Sequence, residues 1–468
     1  MEKKAKIYYF SLTDEQTKTE KLEWFKNTKL QDIDFQRIKP DKNSNWINLT
    51  DNDFETLVPL IDYEVKSGVR ENTIFKLFNN GVSTNRDAWV YDINRENLKN
   101  KINHFIDRFN ELQKNKDMSF PTDIKWSHFL KNKFISGEYL TFKPNMICNS
   151  IYRPYHKVFY YCDLRTSDLL TEYHFQIFGE NLKETNKVIW FKCGKDWDFF
   201  ALGINYVHDI LPQGGSKCLP LYRYSNGERV ENITDWALSV FSNKYSVSSE
   251  QLSVNSEQKE ITDNCLLITE KLITKLDIFH YVYAVLHKPE YRTTYEQNLK
   301  REFPRIPLYD DFWKYAEAGK KLMELHLNYE LEITNYKPLL TRKDIDLEGF
   351  KAGKAGKKKK TSDADKEVAE VATAFTVYPI LKIKDGNIEI DELTTLCGVP
   401  AQALAYKLGN RSAIEWILDQ YKPYKSDDKT IQEQFNNYNF ADYKEQVIEL
   451  LQKVCWLSVE TMKIVEKL

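Results

Sequence analysis

Between Tyr139 and Arg223, short aromatic runs alternate with turns, and this restricts the fold more than any other feature of the chain. Val158-Phe159-Tyr160-Tyr161, Val188-Ile189-Trp190-Phe191 and Phe199-Phe200-Ala201-Leu202 are examples. Short runs rich in β-branched and aromatic residues, bounded by turn formers, read as strands. A mainly β unit is therefore expected over this stretch. Aromatic residues make up 14% of the chain, which is high. Rings fill cores and interfaces, and they also stack on nucleic-acid bases.

Helical spacing governs other segments. Leu98, Ile102, Phe105, Ile106, Phe109 and Leu112 predict a helix over 95–113. Residues 269–286 read as an apolar helix stopped by Pro289. A more polar helix is expected over 291–303, and Asp310 is read as the cap of a third helix reaching Asn328. Val447, Leu450, Leu451, Val454, Leu457, Met462 and Val465 share one face of a long helix over 443–468, expected to dock on its own domain. Ile74 to Tyr91 reads as two short strands around the turn Asn79-Asn80-Gly81. Ser225 to Asp263 reads as an exposed polar connection with a short helix at 234–241. The Gly- and Lys-rich stretch 348–366 reads as a solvated linker, and Lys384-Asp385-Gly386-Asn387 as a hairpin turn. Lys6 to Leu12 is a mostly apolar strand with nothing before it to pair with, and a buried strand needs neighbours on both sides. The expected class is α+β: a mixed, β-rich unit with helical subdomains and a long C-terminal helix. The expected divisions are 1–25, 26–265 (mainly β), 266–347 (helical), 348–374 (linker) and 375–468 (hairpin plus helices).

The 468 residues carry a net charge of −2, so a polyanion would have to be met by a local patch. The seven cysteines contain no Cys-x-x-Cys pair, which argues against a zinc site or a disulfide framework and fits a reducing cytoplasm. No signal-peptide pattern and no run of 18 apolar residues occurs, so no membrane partner is expected.

Self-contained catalytic chemistry is not evident. Gly353-Lys354-Ala355-Gly356-Lys357 only imitates a phosphate-binding loop. The eight histidines are scattered, and His280 and His287 read as structural. Asp196 and Asp198 would face one side of a strand and admit a metal or acid–base role, but surface charge is the simpler reading. No catalytic, cofactor or metal residue is expected in this chain.

Basic groups instead recur beside aromatics at turns. Thr84-Asn85-Arg86-Asp87-Ala88-Trp89-Val90-Tyr91 places an amide, a cation and a carboxylate before alternating aromatics, read as polar groups leading into a strand. Arg and Asn pair bidentately with base edges, and Arg also with phosphates. A surface turn with an Arg–Asp pair is the plainer alternative. Tyr152-Arg153-Pro154-Tyr155-His156-Lys157, Asp163-Leu164-Arg165 and Tyr406-Lys407-Leu408-Gly409-Asn410-Arg411 have similar composition. In Gln213-Gly214-Gly215-Ser216-Lys217 a Gly-Gly turn would expose backbone N–H groups, with Ser and Lys suited to a phosphate, before Leu219-Pro220-Leu221-Tyr222-Arg223.

Thr84 to Tyr91, Lys125-Trp126-Ser127 with Leu130-Lys131-Asn132-Lys133, Tyr152-Arg153-Pro154-Tyr155, Gly214-Gly215-Ser216 before Leu219-Pro220-Leu221-Tyr222, Tyr281 to Pro307, and Tyr406-Lys407-Leu408-Gly409 before Glu415-Trp416 resemble the C-terminal specificity region of type ISP restriction–modification enzymes. They run in the family's order over nearly the whole chain. The resemblance implies sequence-specific recognition of double-stranded DNA for an adenine-N6 methyltransferase. It also implies partner methyltransferase and ATP-dependent translocase/nuclease domains, in cis or in trans, which would hold S-adenosylmethionine, ATP and Mg²⁺. Residues 1–25 would then be the tail end of the methyltransferase fold. The candidate DNA contacts are Asn85, Arg86, Lys131, Lys133, Arg153, Lys157, Arg165, Lys217, Arg223, Lys407 and Arg411. His156 departs from the family pattern, where an Asp is expected, so a local ion pair is at risk. The alternatives are a protein-docking module that does not touch DNA and a metal-dependent nuclease using Asp196 and Asp198.

Overall fold

The structure is a computed structural model that describes residues 5–12, 17–42, 44–47, 49–195, 198–210, 215–225, 227–245, 272–331, 336–346 and 377–468. It is an α+β protein built from several small sheets and helices.

One four-stranded antiparallel sheet lies at the centre, in the order Asn79–Asn80, Lys217–Pro220, Val188–Lys192, Phe200–Ile204. Side chains alternate across a strand, and here each side meets a different core. Val188, Trp190, Phe200, Leu202 and Cys218 join one cluster. Ile189, Phe191, Ala201 and Leu219 join the other. Burial on both faces is why these strands are continuous apolar runs rather than alternating ones.

The first core continues into a second four-stranded sheet, ordered Val207–His208, Ile147–Arg153, His156–Tyr161, Tyr91–Asp92. It also takes in the helix Arg95–Asn115 and most of the C-terminal region. There a third four-stranded sheet contains the expected hairpin, Pro379–Lys384 with Asn387–Asp391. The helix Lys444–Val465 docks on this core through Val447, Leu451, Val454 and Leu457.

The second core holds the crossed helices Lys275–His287 and Phe312–Leu327. They approach so closely at Gly319 that a Cβ there would lie 1.8 Å from the carbonyl oxygen of His280. The Gly203 N–H donates to the Tyr283 hydroxyl at 2.5 Å, tying this helix pair to the central sheet. Both cores thus draw on residues from either side of the expected boundary near 265, because the central sheet serves both.

Several local expectations change. Residues 87–90 are not a strand: Asp87–Val90 is one helical turn, followed by the two-residue strand Tyr91–Asp92. The third helix of the helical region is capped by Asp311, whose carboxylate accepts from Lys314 N at 2.9 Å, not by Asp310. The polar helix over 291–303 is two short helices, Pro289–Thr294 and Glu296–Leu299, broken at Tyr295. The region after Tyr224 is not simply an exposed connection. It begins with the hairpin Tyr222–Ser225/Glu228–Glu231, followed by the helix Asp235–Tyr245, which buries Ala237 and Phe241. Among the described residues the strand Ile7–Tyr9 pairs only with Gln36–Ile38, and it is half-exposed, not buried between two neighbours. The linker expected over 348–366, and residues 246–271, lie outside the described residues.

Candidate nucleic-acid interface

Three loops converge around Arg86: residues 83–86, 125–127 and 165–169. Leu169 N–H donates to Ser83 O at 2.9 Å, joining the first and third. Asn85 holds the first loop in a left-handed turn, with φ of 56°. Asn tolerates this conformation better than most residues because its short amide bonds locally. Here its Nδ2 donates to Asp168 Oδ2 at 2.7 Å, and the side chain stays exposed.

Arg86 points the other way. Its guanidinium pairs with Asp168 at 3.0 Å, donates to the Thr166 carbonyl, and donates to Ser127 Oγ at 2.6 Å. Its side chain is 0% exposed. Burial lowers its pKa, while Asp168 opposes that shift. The structure thus places Arg86 inside: its donors are spent on the two other loops, and it acts as the rivet that shapes all three. Ser127 Oγ also donates to Asp168 and caps the helix His128–Ile135.

A second polar chain runs beside the first. Thr84 Oγ1 donates to Asp87, and the Tyr152 hydroxyl donates to the other Asp87 oxygen at 3.0 Å. Arg153 stacks 4.1 Å from the centroid of the Tyr152 ring and pairs with Asp209. Asp209 thus supplies the carboxylate that His156 cannot. His156 itself is buried, and desolvation pushes its pKa down to about 3. Arg153 is 14% exposed and, like Arg86, is committed internally.

Most of the remaining candidates have local partners of their own. Lys133 pairs with Glu138, Lys157 with Glu330, Arg165 with Asp163 and Arg411 with Asp419. Lys131 lies 4.7 Å from the Phe120 ring centroid. Lys217 donates to Gly215 O at 3.1 Å and faces Phe303. Ser216 is buried, its hydroxyl donating to Ile210 O at 2.9 Å, so that hydroxyl is turned inward. Gln213 and Gly214 lie outside the described residues. Lys407 is exposed and has no ion pair among the described residues. Arg223 lines a separate cavity with Lys66, Arg70 and Lys76.

Two rivets and a set of exposed loop side chains are the arrangement of a scaffold that presents loops. The profile of the "Type ISP C-terminal specificity domain" matches residues 73–450. The chain belongs to that family. Among solved structures, the fold recurs in the DrdV–DNA complex, with 34% identity over 99% of this chain and a TM-score of 0.80. A nuclease-deletion mutant of the type ISP enzyme LlaGI, in complex with a DNA substrate mimic, is 26% identical over 99% of this chain, with a TM-score of 0.72. The ATP-dependent type ISP enzyme LlaBIII, bound to DNA, is 22% identical over 93% of this chain, with a TM-score of 0.71, a likeness of fold. The chain spans 43%, 39% and 25% of those three chains. No curated protein matches.

Sequence reasoning missed two kinds of residue in this specificity domain. Thr84, Ser127 and Asp168 hold the loops, but single polar residues far apart in sequence give no periodic signal. Lys66 and Lys76 join Arg223 in a cavity, and only the recurrence of basic residues at 66, 70 and 76 hinted at it. Asp196 lies outside the described residues, and Asp198 is exposed. Among the described residues, no group of three His, Cys, Asp or Glu is placed to hold a metal ion, and no helix is long and apolar enough to cross a membrane.

Proposed function

We propose that this specificity domain recognises a short asymmetric site in double-stranded DNA and holds its target adenine for an N6-methyltransferase. The observation that carries this reading is the match over 99% of the chain to DrdV, solved as a DNA complex. The loop arrangement supports it. Arg86 and Arg153 fix loop shape from inside, Lys407 is exposed without an ion pair among the described residues, and Asn85 is exposed with its amide oriented by Asp168. Base-edge contacts carry sequence information, whereas phosphate contacts set register. A target base must leave the stack to be methylated, which favours a module that grips the flanking backbone.

The partner domains of this proposal are a methyltransferase and an ATP-dependent translocase/nuclease. S-adenosylmethionine, ATP and Mg²⁺ would belong to them. Exposed apolar side chains near the start of the chain, among them Leu22, Phe25, Leu30 and Trp46, suit docking of such a domain. The same residues favour the second reading, a docking module that does not touch DNA. Salt separates the two. DNA binding through phosphates weakens linearly in log–log form as salt rises, through counterion release. A titration of a fluorescent duplex across salt concentrations is expected to show that slope. A folded chain that fails to bind duplex at low salt would leave the docking reading.

A further inference from the structure

Away from the Arg86 loops, a cavity of about 240 Å³ lies among the short helix Tyr63–Lys66, the helix Glu172–Phe178 and the strand Tyr222–Ser225. Four cations line it, Lys66, Arg70, Lys76 and Arg223, against one carboxylate, Glu71. Two of the four are already engaged. Arg70 pairs with Asp62 and with Glu64, the latter at 3.0 Å, and Lys76 lies 3.6 Å from Glu71.

The other two have no acid. Lys66 Nζ sits between two rings, 4.5 Å from the Phe78 centroid and 4.2 Å from that of Tyr173, and makes no ion pair among the described residues. Burial there lowers its pKa. The Nε of Arg223 is enclosed without a hydrogen-bond partner, and its guanidinium pairs with no described acid. Half-buried cations without counter-charge are costly to keep unless something neutralises them. An anion in the cavity would relieve both. A lysine point charge and an arginine fork on separate elements suit an oxyanion with several acceptor oxygens spread in space, which a phosphate group provides.

We propose that this cavity is an oxyanion site that takes a phosphate group, held by Lys66 and Arg223 with Lys76 nearby. The identity of the phosphate rests on the function proposed above, in which it is a backbone phosphate of the duplex. A contact of this kind sets register and strength of grip without reading a base. The rings of Phe78 and Tyr173 hold the Lys66 ammonium in place before the phosphate arrives, so little side-chain freedom is lost on binding.

The test uses the full 468-residue chain and the double substitution Lys66→Gln with Arg223→Gln. Two quantities are measured: the salt dependence of duplex binding, and the ³¹P line width of inorganic phosphate titrated with protein. The charge-keeping pair Lys66→Arg with Arg223→Lys serves as the folding control. If the phosphate is a DNA phosphate, the double Gln variant lowers the log–log salt slope by about one for each cation removed, and the selected sequence stays the same. If the wild-type chain broadens inorganic phosphate and the variant does not, while duplex binding is absent or its slope is unchanged, the oxyanion site stands and its assignment to DNA is overturned. If the folded variant matches wild type in both salt slope and phosphate broadening, the site itself is overturned.

Discussion

Arg86 and Asp168 form an ion pair at 3.0 Å with side chains 0% and 8% exposed, joining two loops distant in sequence, and Ser127 bonds both partners to bring in a third. Removing one partner of a buried pair leaves the other charge uncompensated, which typically costs about 3–5 kcal/mol. Arg86→Ala is therefore expected to lower unfolding free energy by roughly that amount in urea titrations. Arg86→Lys is expected to recover only part of it, because one ammonium cannot reach Thr166, Ser127 and Asp168 in the guanidinium's planar geometry. Full stability in Arg86→Ala would contradict the rivet assignment.

Asn85 offers a cleaner probe of the loop's outer face. Its φ of 56° is unfavourable for most residues but open to glycine. Asn85→Gly keeps the backbone shape while removing the exposed amide and its bond to Asp168. The expected outcome is a modest fall in melting temperature from that lost bond, with discrimination at one base pair weakened by about 1–3 kcal/mol. Binding and selectivity identical to wild type would exclude Asn85 from base reading.

Helix packing in the second core predicts a sharp steric effect. A Cβ at residue 319 would meet His280 O at 1.8 Å and Ala284 N at 3.2 Å, both backbone atoms that cannot rotate away. Gly319→Ala is expected to force the helices Lys275–His287 and Phe312–Leu327 apart and to cost at least about 1–3 kcal/mol, the usual range for overpacking. Thermal melts of the variant check this. An unchanged melting temperature would mean that the helices do not cross so closely.

Acid should unfold the protein early. Burial pushes the pKa of His156, His208 and His326 down to about 3, and that of His174 and His280 to about 4. A histidine whose folded pKa lies below its unfolded value binds its proton more readily when unfolded. Its contribution is intact above the unfolded pKa of roughly 6.5 and is lost as pH falls toward the folded value. Each such group removes about 1.4 kcal/mol per pH unit over that window. Denaturant midpoints are expected to fall steeply from pH 6.5 to 5. His326→Gln is expected to flatten that fall by one proton's worth, although it also disturbs bonds to Tyr283 and Thr461. A midpoint independent of pH over this range would contradict the buried neutral histidines.

Much of the fold is legible in the sequence because its signals are local. The strands Val188–Lys192 and Phe200–Ile204 and the helix Arg95–Asn115 announce themselves by composition or spacing. The turn at Asp87–Val90 does not, because its cause is distant. Lys101, on the following helix, donates to the carbonyls of Ala88 and Tyr91, while Tyr152 bonds Asp87. Those contacts override the strand-like alternation of Trp89 and Tyr91. The break at Tyr295 is similar: its hydroxyl donates to Asp53 Oδ1 at 2.7 Å, across more than two hundred residues. Site residues divide the same way. A sequence shows that Arg86 and Arg153 are basic and near turns, but not that Asp168 and Asp209 wait inside to hold them.

Selection of binding sites from a random duplex pool at about physiological salt, with the retained DNA sequenced, tests the central claim most directly. One enriched asymmetric motif is the predicted result. A folded chain that retains no duplex, or retains duplexes without any enrichment, would contradict the assignment as a DNA target-recognition module.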